Sequence, residues 1–279
     1  MSKIGSMHIR SLQNIEFNTI IACFLEAFAG YFVQMPTDAA YYRDRWQRAK
    51  VDYSLSFGMF DAERLVGFVI HAVDKRNGKL VAYNTGTGVV PEYRGNGIVD
   101  ALYAHALPLL QKRGIESCTL EVITKNAPAL KVYQRIGFKI SKQYHCYHGD
   151  ISKMEKRIDF TCKKADFAHF DWNRTNQASY SWDNHIESIR NGGFELHTVY
   201  GENQLESFFV ISAEAHYLAQ FDVLNGDDDS WERLFLAIRE VSQTVKINNV
   251  DTLLRDKVTH LNQLGLKNTI DQYEMELVL

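Results

Sequence analysis

Residues 80–97 read LVAYNTGTGVVPEYRGNG and leave few folds open. Val81, Tyr83, Thr85, Thr87 and Val89 alternate with their neighbours, the period of a strand that puts them on one face. After the Arg94–Gly97 turn, Ile98, Leu102, Ala106, Leu109 and Leu110 return at helical spacing as one buried face. A strand that feeds an amphipathic helix through a bare, cationic turn is the building unit of an α/β chain. Gly86 and Gly88 are costly inside a regular ladder, so they mark a bulge or a close approach by another backbone or a ligand. Pro108 should kink the helix or end its regular hydrogen bonding.

The same alternation of strands and helices runs along the chain. His8–Leu12 reads as a strand, 17–32 as a helix, 40–47 as an aromatic helix, and SLSFGMF and RLVGFVIHAV as two strands joined at 61–64. CTLEVI is a strand. Asn126 caps a helix with Pro128 in its first turn, Gly137 ends it, and FKISKQYHCYH is the next strand. Residues 151–165 are polar enough for a linker, so the expected domains are 1–150 and 166–279.

The second block reads as strands around Phe194–Val199 and Ser207–Val223, then a helix with Trp231, Leu234, Phe235, Ile238 and Val241 on one face. The strand VKINNV, the helix LLRDKVTHLNQLG and the strand DQYEMELVL complete it. RIGFKISKQY and QLGLKNTIDQY end the two blocks alike, the mark of an internal repeat.

Charge and cysteine usage exclude several classes. A net charge of -3 gives no global attraction to nucleic acid or to an anionic membrane. Cys23, Cys118, Cys146 and Cys162 lack CxxC spacing, which indicates neither a disulfide framework nor a zinc knuckle. Cys146 and His148 in YHCYH are two ligands at most, short of a closed metal site. The N-terminal sequence lacks a secretory h-region and 17–33 falls short of a membrane span, so a reduced, cytoplasmic setting is expected.

The glycine turn has three readings. It is a plain connection whose glycines supply unusual backbone angles, a nucleotide fingerprint, or an anion cradle. The fingerprint fails: TGTGVVP lacks the third glycine of GxGxxG, and no GxxxxGK[ST] occurs. The cradle has a physical basis, because a helix N-terminus presents unsatisfied N–H groups and partial positive charge.

PEYRGNGI and NAPALKVYQRIGF, in this order and spacing across 8–148, resemble the GCN5-related N-acetyltransferase (GNAT) superfamily. The resemblance implies an α/β fold of two tandem GNAT-like domains, each a mixed, mostly antiparallel sheet flanked by helices. It implies that Arg94, Gly95, Asn96, Gly97 and Ile98 hold the pyrophosphate of acetyl-CoA, with Val99 where the family has a small residue. It further implies that the main chain of Val89 and Val90 pairs with the pantetheine arm and that Asn126 lies near the cofactor. Tyr133 matches the family's proton donor to the departing thiolate, although its place also suits core packing.

An ammonium acceptor also needs a base. The strand before the cradle holds no acidic residue, and Glu26, Asp38, His71 and Glu92 have no pattern behind them. Tyr41, Tyr42, Trp46 and Phe32 line either an acceptor cleft or the core. In the second block the equivalent turn reads LNGDDDSWERL, with Asp227, Asp228 and Asp229 where an anion would sit, so that half is expected to be degenerate.

The expected activity is direct transfer of acetyl from acetyl-CoA to an amine, with a small-molecule acceptor and no metal. Cys118 has no base beside it to make an acyl-cysteine. The alternatives are a non-catalytic acyl-CoA-binding or interaction module and an acyltransferase with another donor or acceptor.

Overall fold

The computed structural model describes residues 7–155, 158–190, 192–226 and 228–279. They form two compact units: unit 1 holds the described residues up to Ser141 together with Glu274–Leu279, and unit 2 is Lys142–Tyr273.

Unit 1 runs β1 (Met7–Ser11), α1 (Phe17–Ala27), α2 (Ala39–Ala49), β2 (Phe57–Asp61), β3 (Arg64–Arg76), β4 (Lys79–Val89), α3 (Ile98–Lys112), β5 (Ser117–Ile123), α4 (Ala127–Ile136) and the start of β6 (Lys139–Asp150). β1 to β4 pair antiparallel in sequence order, and β5 joins β4 in parallel. α3 buries Ile98, Leu102, Tyr103, Ala106 and Leu110, whereas Leu109, on the same stripe toward the end of the helix, is exposed. The helix does not end at Pro108 but continues to Lys112.

The β4 irregularity differs from the sequence expectation in place and cause. A bulge at Thr85 sets both Asn84 and Thr85 against the step from His71 to Ile70. Asn84 and Thr87 consequently both face α3 and α4, so the five alternating residues do not share one face. Gly86 and Gly88 are needed on the other face. A Cβ on Gly86 would lie 3.0 Å from the Phe24 ring, and one on Gly88 would lie 2.9 Å from Ala27 Cβ and 2.8 Å from the Phe68 ring. Bare backbone there lets α1 settle onto the sheet, with Phe24 stacked on Phe68 at 5.6 Å.

The end of the chain closes this sheet. Leu279 donates its N–H to the Glu116 carbonyl at 2.9 Å, Ser141 Oγ bonds Glu274, and Met275 is fully buried. The last six residues thus belong to the first unit, not to the second block as the sequence grouping had it.

Unit 2 contains the rest of β6, β7 (Thr161–Ala165), α5 (Ile186–Ile189), β8 (Glu195–Gly201), β9 (Gln204–Ser212), β10 (Tyr217–Val223), α6 (Asp228–Val241), β11 (Thr244–Asp251), α7 (Arg255–Gln263) and most of β12 (Lys267–Val278). β7 to β10 are antiparallel, β11 meets β10 in parallel, and β6 pairs with β11. α6 covers one core with Trp231, Leu234, Phe235 and Ile238; Ile186, Ile189, Leu196 and Phe208 form the other. Residues 151–165 hold β7, and the division between units falls inside β6. No helix among the described residues is long and apolar enough to cross a membrane.

Candidate active site

The site is built where two parallel strands part. β4 and β5 pair from Val81↔Ser117 to Asn84↔Leu120 and no further. Val90 donates its N–H to the Val66 carbonyl at 3.0 Å, which makes that pair hydrogen-bonded. In an antiparallel ladder the next residues alternate, so Val89 and Thr87 turn their backbone groups away from β3 and into the opening. Of the two valines named from the sequence, Val90 has its amide committed to β3, and Val89 faces the gap.

At the top of β4 the turn opens as expected for a cradle. Gly95 and Gly97 have φ of 78° and 69°, and a Cβ on either would meet nothing within 4 Å. Glycine is required by backbone angle and leaves an open approach. Gly97 is the N-cap of α3, it makes no side-chain cap hydrogen bond among the described residues, and the first N–H groups of the helix have no intrahelical partner. Asn96 folds back, its Nδ2 donating to the Tyr93 carbonyl at 3.0 Å. Ile98 packs its side chain toward Gly67 on β3, so it can offer only its main chain.

Arg94 is exposed and clasps the turn: Nε donates to the Val89 carbonyl at 3.2 Å and an Nη to the Ala27 carbonyl at 2.8 Å. Asp100 in the first turn of α3 would repel a phosphate. Arg135 neutralises it through two bonds of 2.8 and 2.6 Å and holds its carboxyl below the usual range.

Below the turn lies an aromatic cluster. Tyr133 is 8% exposed, and burial raises its phenol to about 12. It packs edge-on against Tyr103 and Phe138, whose centroids are 6.3 and 5.9 Å away, so the core-packing reading and the functional reading describe the same side chain. Asn84 donates to the Tyr103 hydroxyl at 2.7 Å. Thr87 Oγ1 lies toward both phenols yet meets hydrogen-bond geometry with neither, and it is buried without a partner among the described residues. Asn126 caps α4 by accepting from Ala129 N–H at 3.3 Å, and its amide also sits against the half-buried Tyr31 hydroxyl. The structure therefore brings together Val89, the Arg94–Ile98 turn, Asn126 and Tyr133. It adds Thr87 and Tyr31, which carry no sequence signature of their own.

None of the four acid–base candidates enters this gap. Arg64 binds Glu26 at 2.7 Å and Glu92 at 3.1 Å, and Asp38 caps α2. His71 is fully buried, accepts no solvent, and burial lowers it to about 4 while its Nδ1 bonds the Leu55 carbonyl. Glu121 is different. It follows Leu120, the last residue of β5 paired to β4, and is partly buried. Cys118 lies beside Tyr103 and Tyr133, so strand alternation sets Glu121 on the opposite, α1/α2 face of the parting strands. A search for acids along β5 as well as β4 would have found it in CTLEVI.

Tyr42 and Trp46 are core, whereas Phe32 and Tyr41 are exposed. Among the described residues no group of three or more His, Cys, Asp or Glu could hold a metal. In the second half Asp227 lies outside the described residues. Gly226, in the turn before α6, is absent from the left-handed glycines.

The profile of the Acetyltransferase (GNAT) family matches residues 21–138. N-alpha-acetyltransferase 30 of Schizosaccharomyces pombe is 34% identical over 94 residues, 33% of this chain and 63% of its own length. Mycothiol acetyltransferase of Saccharomonospora viridis is 32% identical over 126 residues, 43% of this chain and 41% of its own. The chain thus spans less than two thirds of the length of these relatives. A solved tandem GNAT protein from the clavulanic acid biosynthesis pathway is similar over 98% of both chains, with a TM-score of 0.69 at 14% identity. That likeness covers both units and shows the fold: two tandem GNAT-like domains, each a mixed, mostly antiparallel sheet with helices. Over residues 21–138 the chain is thus similar in sequence to the Acetyltransferase (GNAT) family, and over both units it shares the tandem GNAT fold.

Proposed function

We propose that this chain transfers the acetyl group of acetyl-CoA to an amine by direct attack at the β4/β5 gap of unit 1. The observation that carries the reading is a single arrangement. An uncapped helix start behind two left-handed glycines adjoins a strand edge with no strand partner among the described residues, above a buried, protonated phenol. The turn from Arg94 to Ile98 holds the diphosphate on main-chain N–H groups, with the arginine's charge at its flank. Val89 pairs with the pantetheine arm by its backbone, as an added strand would. Asn126 braces Tyr31 at the mouth.

The acceptor ammonium arrives from the α1/α2 face, where Glu121 accepts its proton. The amine nitrogen then bonds the acetyl carbon, the carbon–sulfur bond breaks with its electrons going to sulfur, and the second proton shed by that nitrogen passes to the departing thiolate. Tyr133 meets that sulfur from the α4 side. A phenol near 12 is a weaker acid than an ordinary thiol near 8.5, so Tyr133 acts chiefly by donating a hydrogen bond to the developing thiolate. Glu121→Gln should lower the rate for an ammonium acceptor about a hundredfold and recover partly as pH rises and free amine accumulates. A pH–rate profile unchanged from wild type would remove Glu121 from this role.

The relatives do not single out a small-molecule acceptor: one name specifies an N-alpha amine, another mycothiol. Unit 2 is read as a degenerate copy that binds no coenzyme. Calorimetric titration tests these readings, with acetyl-CoA expected at one per chain and NADH not bound. Arg94→Glu should weaken acetyl-CoA at least tenfold, roughly the effect of one charge-assisted contact. Binding without turnover across a panel of small amines and peptides with free N-termini would favour the non-catalytic alternative. No binding would sink both.

A further inference from the structure

Unit 2 repeats the parting of two parallel strands, but something of its own fills the space. β10 meets β11 at Tyr217↔Lys246. A bulge between Leu218 and Gln220 then re-aims β10, as the one at Thr85 re-aims β4. Two residues past the bulge Phe221 holds the place of Thr87. Its pair with Phe209 is of the type that turns backbone groups away from β9, because Leu224 donates to Glu206. A buried carbonyl left there needs a donor.

Lys257 supplies it. This α7 side chain is 4% exposed and its Nζ donates to the Phe221 carbonyl at 2.7 Å and to Asp222 Oδ2 at 3.1 Å. From segment 172–190 the Tyr180 hydroxyl donates to the same carbonyl at 3.1 Å. The ammonium lies 5.1 Å from the Tyr180 ring centre and 4.7 Å from that of Phe221, in reach of both π faces. Space of about 10 Å³ remains between Tyr180, Phe221, Asn249 and Lys257, room for one water and not for a pantetheine arm.

We propose that Lys257 is a built-in occupant of the second groove. Its ammonium and four-carbon stem, with the Tyr180 phenol, stand where unit 1 takes its acyl donor, and they close unit 2 to coenzyme. The equivalence to a coenzyme groove rests on the function proposed above; the closure itself rests on these contacts. Stability of unit 2 then depends on a buried cation.

Lys257→Ala removes the donor and leaves a stem-sized cavity beside a carboxylate. The unfolding transition of unit 2 should fall by roughly 10 °C. Millimolar n-butylammonium should raise it again, whereas n-butanol at the same concentration should not, and neither should shift the wild type. If Lys257→Ala does not fold, Lys257→Met tests the charge alone and Tyr180→Phe the second donor, with a smaller loss expected for the latter. Wild-type stability in Lys257→Met, or equal rescue by butanol, would overturn the proposal. Two acetyl-CoA per wild-type chain would overturn it as well. No acetyl-CoA bound to the wild type, with butylammonium rescue intact, would instead overturn the function proposed for unit 1 and leave the closure standing.

Discussion

Removal of Glu274–Leu279 is expected to unfold unit 1 and abolish acetyl-CoA binding, although every residue of the proposed cradle remains. These six residues lie beside β5 in the sheet of unit 1. Met275 is fully buried there, and deleting such a side chain costs about 2–5 kcal/mol. Lost strand bonds, such as that from Leu279 to the Glu116 carbonyl, add about 1 kcal/mol each. The sum reaches the total stability of an ordinary domain, roughly 5–15 kcal/mol. The loss also falls near the proposed site, since Leu277 lies against Gly137, the C-cap of the helix that carries Tyr133.

Calorimetry of the truncated chain should therefore retain one transition, that of unit 2, and titration should show no coenzyme. A synthetic peptide of residues 267–279 should restore part of both. An unchanged pair of transitions with normal binding would show that the tail is dispensable and that unit 1 is complete without it.

That dependence is also where sequence reading stopped short. Alternation and helical spacing located β3, β4, α3, β5 and α4, and the RGNG turn declared its left-handed glycines, because local backbone demands leave local marks. A strand's membership of a sheet is decided by non-local pairing. DQYEMELVL reads identically whichever sheet receives its last six residues. Gly86 and Gly88 show the same limit. They announce a close approach, but only the folded chain reveals the Phe24 ring and Ala27 as what approaches. Glu121 was visible as a residue and illegible as a candidate, since its value comes from the point at which β5 leaves β4.

Tyr133→Phe is expected to lower kcat by about a hundredfold or more, the usual scale for a lost proton donor or preorganised hydrogen bond. Acetyl-CoA affinity should stay within about twofold, because the ring still packs against Tyr103 and Phe138 and the cradle is untouched. The alternative, that Tyr133 is only core, predicts instead a modest loss of stability and unchanged turnover.

A pH series separates the two further. Burial raises the folded-state phenol from about 10 to about 12, so the folded form holds its proton longer than the unfolded chain. This contribution to stability is complete below pH 10 and is lost as pH rises toward 12. Tyr133→Phe removes a group that must stay neutral to remain buried, so the variant should lose less stability than wild type across that window. At neutral pH the phenol is fully protonated, and the rate defect should be independent of pH from about 6 to 9. A defect that grew with pH through that range would require Tyr133 to act as a base and would overturn its role as donor to sulfur.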